Sequence, residues 1–419
     1  MIKTKKYKNG LKLVVEEMPN FETCSLYVMV KTGSVNETEG FYGISHFIEH
    51  MLFKGTKKRS CYQITKDFAS IGASVNAYTS NDRTAYYTKC VGEQIDSCAE
   101  ILSDMFFNSE FDEKEIKAEK KVVCEEIAMY SDNPNAVCET NLNKIFYNGT
   151  EYSRDVGSTQ KNVKAITREK ICEYIEKFYT PKNCVISLAG NITFEKADKI
   201  VKKYFLNNFT NSNFENLTKH TNPTLLKHQI SAFKDNKQAV LAISYPALTG
   251  DHAKQYAIQL LNFAFGVGMS SRLFQKIREQ LGLVYSIYSD FVNNDAFGDF
   301  SIFLSTTNKN VPLALFEINK EVKNVALNGI TKEEFERAKV RCISTFKMGN
   351  ENTSNVASYN AVRFLFYNKT RTKEEFIKNI YNVTIEEVND LAKEIFLSER
   401  FAVSYVGPQK DLNLLEYYK

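Results

Sequence analysis

The chain has 419 residues, more than one average domain of roughly 100 to 200 residues, so its length favours at least two hydrophobic cores. Hydrophobic residues make up 43% and charged residues 25%, which excludes a wholly disordered chain, a collagen-like repeat and a coiled-coil rod. The net charge is only +4, without a dense basic block, so we expect no nucleic-acid partner.

Hydrophobic periodicity predicts strands and helices in a mixed order along the first half. In chain order these are strands Leu11–Glu16 and Ser25–Lys31, helix Gly40–Phe53, strands Val75–Tyr78 and Arg83–Val91, helices Gln94–Asn108, Asp112–Tyr130 and Arg168–Phe178, strand Cys184–Ala189, and helix Phe194–Tyr204. This order favours an α+β fold over a doubly wound parallel sheet.

The two halves of the chain resemble each other. Ile166–Gly190 matches Val383–Gly407, as a helix, a connector and a strand ending in Gly, at an offset of 217 residues. Asp112–Cys124 resembles Thr331–Ile343 at an offset of 219 residues. Two matches at nearly one offset indicate an internal duplication.

A polar, Asn-rich stretch from Asn207 to His228 is typical of a linker between the halves. We therefore predict two homologous α+β domains, each with a mixed or antiparallel sheet covered by helices. Their expected bounds are 1–210 and 229–419, with a linker over 211–228.

The nine cysteines are odd in number, scattered, and never in a C-x-x-C pair, which argues against a disulfide framework and a thiolate zinc site. No apolar stretch of about 18 residues occurs, and the basic start turns charged again before an apolar core forms. We expect a cytoplasmic protein with reduced thiols, no signal peptide and no membrane partner.

Two of the five histidines share the pentad His46-Phe47-Ile48-Glu49-His50. On a helix, positions i and i+4 share a face, so both imidazoles can hold one ion from adjacent turns, with Glu49 beside them. The pattern is a strong metal-site signal; the alternative is a histidine pair on a half-buried helix face.

A catalytic zinc site usually has three protein ligands and one open position, so the pentad calls for a third ligand. The helix Asp112–Tyr130 offers Glu119, Glu125 and Glu126. Glu119 and Glu126 lie nearly on one face, whereas Glu125 is turned by about 100° from Glu126. Only one pair of these three glutamates can therefore point at the metal.

These residues resemble the M16 (inverzincin, pitrilysin-like) metallopeptidases, in which a Glu on a later helix follows the pentad. The resemblance also covers Gly33-Ser34, the run Phe53–Thr56, and the segment Gly72–Thr79, where the family has G-x-x-x-N-A-x-T. It extends over nearly the whole chain, and the length is similar to that of the processing-peptidase-like M16B subfamily.

The resemblance implies that His46, His50 and Glu126 bind one Zn²⁺ per chain, that Glu49 is the general base, and that Glu119 orients the site. Zinc would lower the pKa of its bound water toward 7 and polarise the scissile carbonyl, while Glu49 moves the proton to the leaving amine. For Glu119 the alternative is a solvated charge on a helix.

The second domain is expected to lack a metal site, because Thr345 stands opposite Glu126 at the repeat offset. Its run Met269–Tyr285 resembles a family pattern of an Arg, a Leu-Gly pair and a Tyr, which implies that Arg278 and Tyr285 contact the substrate. A guanidinium and a phenol suit a developing oxyanion. The alternative is a surface Arg and a core Tyr.

The family also implies how a substrate binds. An extended peptide adds as a strand to the sheet edge that Asn76 and Ala77 match here, and such pairing favours unfolded peptides; otherwise Asn76 is a turn or strand-end residue. Longer relatives build a closed chamber from four domains. We therefore expect a homodimer in which the partner's Arg278 and the partner's Tyr285 complete each zinc site.

The sequence favours a zinc endopeptidase that cleaves peptides or leader segments in such a chamber. One alternative is a catalytically silent M16-like subunit that only binds peptides or a partner chain, although such relatives usually lose part of the pentad, which is intact here. Another is a non-peptidase α/β enzyme in which the pentad is accidental.

Overall fold

The structure is a computed structural model that describes residues 1–209, 222–294, 296–410 and 412–418. The strands, in chain order, are β1 (Ile2–Lys6), β2 (Lys12–Glu17), β3 (Thr23–Val30), β4 (Ser74–Thr79), β5 (Thr84–Val91), β6 (Cys184–Gly190), β7 (Gln229–Phe233), β8 (Gln238–Ala247), β9 (Ser286–Asn293), β10 (Gly298–Thr307) and β11 (Ala402–Gly407).

The α-helices lie between these strands along the chain, in several places as runs of consecutive helices. They are α1 (Ile44–Met51), α2 (Cys61–Ser70), α3 (Ile95–Asn108), α4 (Glu113–Asp132), α5 (Pro134–Phe146), α6 (Gln160–Lys164), α7 (Arg168–Phe178), α8 (Phe194–Val201), α9 (Gln255–Phe265), α10 (Val311–Asn328), α11 (Lys332–Gly349), α12 (Thr353–Phe366), α13 (Lys373–Asn382) and α14 (Ile385–Phe396). Lys202–Leu206 and Phe274–Gln280 are π-helical.

Two mixed sheets repeat one strand order. The first runs β1-β2-β6-β3-β5-β4, and the second runs β7-β11-β8-β10-β9. In each, one parallel pair (β2 with β6, β7 with β11) adjoins an antiparallel ladder. The second order is the first without β1, which confirms the predicted α+β fold and its repeated architecture.

The burial of the central strands shows that both faces of each sheet are covered. Every residue of β6 and of β11 is buried, and such strands read as apolar runs because neither face meets water. In the first half, Leu26, Val28 and Ile186 point into the core that contains α1 and α3. Tyr27 and Met29 point to the opposite face of the sheet.

The chain forms two compact units that exchange a segment. The first comprises Met1–Ala128, Asp155–Lys219 and Met348–Thr372, so it includes α12; the second comprises Met129–Arg154, His220–Lys347 and Lys373–Lys419, so it includes α5. In the first unit, Ser187 Oγ donates to Ala357 O of α12 at 2.7 Å. In the second, Cys138 of α5 is buried against Ser404 O of β11. Sequence periodicity did not predict this exchange.

The predicted bounds 1–210, 211–228 and 229–419 remain a prediction, since residues 210–221 lie outside the described residues. The predicted helix Gly40–Phe53 is shorter, because Gly40 and Gly43 adopt φ of 86° and 85°, which form a turn ahead of α1. Among the residues described, none of the helices is both long and apolar enough to cross a bilayer.

Candidate metal centre

The pentad lies on α1, whose two faces differ in burial. Ile44, Phe47, Ile48 and Met51 are fully buried in the core of the first unit. His46, Glu49 and His50 are only half-buried on the opposite face, as their i, i+3 and i+4 spacing requires. The apolar residues therefore anchor the helix while the polar residues project from it.

A buried carboxylate fixes where α1 begins. The Glu37 side chain is 4% exposed and accepts hydrogen bonds from Gly43 N at 2.7 Å and Ser45 N at 2.9 Å. These N–H groups belong to the first turn and have no partner within the helix. The Ser45 hydroxyl also lies 2.8 Å from Tyr174 OH on α7. The start of the helix is thus tied to two other segments.

The helix α4 brings a carboxylate to the two imidazoles. The Nε2 atoms of His46 and His50 lie 3.2 Å apart. Glu126 Oε2 lies 3.8 Å from Nε2 of His46 and 3.4 Å from Nε2 of His50. Within the described part of the chain, these three residues are the only group with metal-ligand atoms converging in this way.

The donor set fits a zinc ion. Zinc–nitrogen and zinc–oxygen bonds of about 2.0–2.2 Å in tetrahedral geometry place ligand atoms roughly 3.2–3.6 Å apart. The three separations of 3.2, 3.4 and 3.8 Å approximate that triangle. Burial and the adjacent His50 ring lower the pKa of His46 to about 4, so its imidazole is neutral and has a lone pair for a metal.

A second carboxylate and a lysine lie behind His50. Glu119 is 3% exposed, and its Oε1 lies 2.8 Å from Nδ1 of His50. Its Oε2 lies 2.6 Å from Nζ of Lys54. Burial opposes ionisation, but the contacts with His50 and Lys54 outweigh it and lower the pKa of Glu119. Glu119 is therefore no solvated surface charge but a buried, paired carboxylate.

Glu49 has a hydrogen-bond partner of its own outside α1. Thr79 Oγ1, at the end of β4, donates a hydrogen bond of 2.6 Å to Glu49 Oε2. Burial raises the pKa of Glu49, and the Thr79 hydrogen bond opposes that shift. A carboxyl group whose pKa is raised toward neutrality is a stronger base than an exposed one.

The predicted substrate residues lie on β4, at the edge of the first sheet. Asn76 is exposed, Ala77 is half-buried, and Ala77 N donates to Asn76 Oδ1 at 2.8 Å. The alternation of the strand turns Val75 and Ala77 toward the core that contains α1. Asn76 is therefore neither in a turn nor at a strand end.

Arg278 and Tyr285 belong to the second compact unit. The Arg278 guanidinium lies 4.6 Å from the centroid of the Phe274 ring, and Tyr285 is 71% exposed. The alternative of a core Tyr is thus wrong for Tyr285. In this unit, where α9 and α11 repeat α1 and α4, Cys342 Sγ lies 3.7 Å from Gln259 Oε1.

Three contacts of the site were not predicted from sequence: those of Glu37, Lys54 and Thr79. Lys54 lies in the segment Phe53–Thr56 and Thr79 lies in the segment Gly72–Thr79. Both segments resemble the family, and that resemblance was the available signal for these two residues. Nothing in the local sequence marked Glu37, because its partners are backbone N–H groups.

Family models match both halves of the chain. The model described as insulinase (peptidase family M16) matches residues 12–160, and the model described as peptidase M16 inactive domain matches residues 165–341. Two solved structures share the fold: a peptidase M16 inactive domain from Pseudomonas fluorescens, with a TM-score of 0.90, 20% identity and 98% of each chain covered, and a protease from Helicobacter pylori, with a TM-score of 0.87, 22% identity and 97% and 99% of the two chains covered.

Relatives match over the full length. YmxG, an uncharacterized zinc protease of Bacillus subtilis (strain 168), is 34% identical over 412 residues, which cover 98% of this chain and all of the relative. An uncharacterized zinc protease of Rickettsia bellii (strain RML369-C) is 32% identical over 408 residues, which cover 96% and 97% of the two chains. With both halves matched and relatives aligned from end to end, the chain belongs to peptidase family M16.

Proposed function

We propose that this protein is a zinc endopeptidase that hydrolyses extended peptides or leader segments. The observation that carries the proposal is the convergence of His46, His50 and Glu126, with Glu49 beside them on the same helix face. The names of the relatives, zinc proteases, support zinc as the ion. One ion per chain is proposed, held by these three side chains.

The roles of the residues follow from their contacts. When bound, zinc would supply a Lewis acid that polarises the scissile carbonyl and acidifies a water molecule. Glu49, which is proposed not to be a ligand, would take the proton of the attacking water and return it to the leaving amine. Thr79 orients Glu49, and Glu119 accepts the Nδ1–H of His50 so that Nε2 faces the metal.

The substrate is proposed to pair with β4, the edge strand that contains Asn76 and Ala77. Main-chain pairing reads an extended conformation rather than a side-chain sequence, so it favours unfolded peptides. Arg278 and Tyr285 are proposed to contact the substrate, supplied by a second copy in a homodimer that encloses it. Nine unpaired thiols fit the reducing environment of the cytoplasm, where we propose that the protein works.

The test is a mixed peptide library incubated with the purified protein and analysed by mass spectrometry. We expect internal cuts that a chelator abolishes and added zinc restores. Glu49→Gln should lower the rate by at least about 100-fold while retaining zinc, because only the proton acceptor is lost. Cleavage that is unchanged by the chelator would contradict the proposal.

The same samples separate the alternative of a catalytically silent peptide-binding subunit. Such a subunit would retain peptides without cutting them, and Glu49→Gln would change nothing. A matched control is Glu125→Gln, which removes an exposed carboxylate from the same helix as Glu126. The Glu125→Gln variant should cleave peptides at the wild-type rate.

A further inference from the structure

We propose that Lys54 is a positioning residue of the metal centre: it holds the Glu119 carboxylate, and through it fixes the His50 imidazole in the orientation that binds zinc. The inference rests on the proposed zinc site and extends it to a residue that contacts neither the ion nor the substrate.

A chain of contacts carries the inference. Lys54 Nζ lies 2.6 Å from Glu119 Oε2, and Glu119 Oε1 lies 2.8 Å from His50 Nδ1. Each oxygen of the carboxylate therefore faces one donor, at distances typical of charge-assisted hydrogen bonds. The other nitrogen of His50, Nε2, faces His46 and Glu126.

Lys54 is itself held by the turn that follows α1. Its backbone N donates to Met51 O at 3.1 Å, and Phe53 N donates to His50 O at 3.2 Å. The lysine therefore reaches Glu119 from the same turn that presents His50. This places the cation and the imidazole on opposite oxygens of one carboxylate.

Burial explains why Glu119 needs the cation. The Glu119 side chain is 4% exposed, whereas that of Lys54 is 26% exposed. A buried carboxylate without a charged partner is costly and moves toward water. That movement would release the Nδ1–H of His50 and leave its ring free to rotate. Partners of this kind affect metal affinity about 10- to 100-fold.

The sign of the effect distinguishes positioning from simple charge. If Lys54 acted only as a positive charge near a divalent cation, its removal would strengthen zinc binding, because like charges repel. If Lys54 positions Glu119, its removal must weaken zinc binding. The two roles therefore predict opposite changes in the zinc dissociation constant.

The test measures the zinc dissociation constant of the full chain by competition with a chromogenic chelator. We expect Lys54→Met to weaken binding about tenfold and Lys54→Arg, which keeps the charge and the donors, to stay within about threefold of the wild type. Lys58→Met, at an exposed position four residues on, is the matched control and should not change the constant.

A double variant tests whether the effect passes through Glu119. In the Glu119→Gln background, Lys54→Met should cause less than about a twofold further loss, because the carboxylate that it holds is already gone. If Lys54→Met does not fold, Lys54→Gln provides the same comparison.

An unchanged or tighter zinc constant in a folded Lys54 variant would overturn the inference. So would a full tenfold loss that persists in the Glu119→Gln background. Wild-type protein that fails to bind zinc would instead contradict the proposed function, and the two failures are therefore distinguishable.

Discussion

Glu49 and the imidazoles of His46 and His50 lie on one helix face but have different contacts. The two Nε2 atoms face each other and Glu126, whereas the Glu49 carboxylate is drawn toward Thr79 on β4. A hydroxyl that donates to one oxygen leaves the other oxygen free to accept a proton. The different partners of the proposed ligands and of the proposed base thus come from outside the helix, from α4 and from β4.

Thr79→Val is expected to lower kcat about tenfold, since a lost hydrogen bond of this kind is worth roughly 1–2 kcal/mol. KM and the zinc constant should stay within about twofold, because the Thr79 hydroxyl contacts Glu49 and not one of the three proposed zinc ligands. Thr79→Ser keeps the hydroxyl and should retain activity. Steady-state kinetics measure kcat and KM separately. An unchanged kcat in Thr79→Val would show that Thr79 does not orient Glu49.

The sequence predicts the site only as far as local spacing reaches. His46, Glu49 and His50 share one face because of their i, i+3 and i+4 spacing, so the pentad required no tertiary information. By contrast, Glu119 and Glu126 both face α1, and spacing alone does not say that Glu126 meets two Nε2 atoms while Glu119 meets Nδ1. That division depends on how α4 packs against α1.

At the scale of elements, the strand β1 illustrates a contact that periodicity did not predict. Its sequence, IKTKK, is too rich in lysine to read as a strand, yet it pairs with β2 along its full length. Lys5 Nζ and Tyr7 OH lie 2.8 and 2.6 Å from Asp198 on α8. Polar contacts therefore join this edge of the sheet to a helix.

Asp198 gives the first unit a dependence on pH. Burial would raise its pKa, but hydrogen bonds from Lys202, Lys5 and Tyr7 outweigh burial and lower the pKa to about 2. The unfolded value is about 3.9, so the stabilisation is complete above about pH 4 and is lost as the pH falls toward 2. Solvent screening limits it to about 1 kcal/mol.

Asp198→Asn should therefore reduce the free energy of unfolding by about 1 kcal/mol near pH 6, and the difference from the wild type should shrink below about pH 4. Urea unfolding of the chelated protein at several pH values measures it. Asp235→Asn, in the second unit, is a control for loss of one carboxylate. A difference that grows as the pH falls would contradict the assignment.

The exchange of α5 and α12 between the two compact units also lay beyond sequence analysis. The hydrophobic pattern of a helix states only that one face is buried, not which sheet buries it. The duplication was visible because helix, connector and strand repeat at one offset in α7–β6 and α14–β11. A sequence repeat therefore indicates the order of helices and strands, but not which sheet each helix packs against.

At the scale of the whole molecule, the proposed homodimer predicts complementation between inactive chains. A Glu49→Gln chain lacks the base, and an Arg278→Ala chain lacks the substrate contact that it would lend to its partner. Randomly mixed dimers should recover about one quarter of wild-type activity, because half of them carry one intact site of two. Each variant alone should be nearly inactive.

The mixing experiment uses co-expression with two tags, and purification of the mixed species should raise the recovery to about one half. Recovery shows that the base and the arginine act from different chains. No recovery, with the mixed dimer present, would mean that each chain supplies both residues to its own site. An Arg278→Ala chain that is active alone would mean that Arg278 does not contact the substrate. A solution mass of one chain with full activity would exclude the homodimer.

The proposed function depends most directly on one zinc ion bound jointly by His46, His50 and Glu126. Its sharpest test is the zinc content of protein purified without chelator, measured by mass spectrometry for the wild type, Glu126→Gln and the exposed control Glu125→Gln. We predict about one zinc per chain in the wild type and in Glu125→Gln, and a loss of most zinc in Glu126→Gln. Wild-type protein without bound zinc, or Glu126→Gln that retains a full equivalent, would contradict the account.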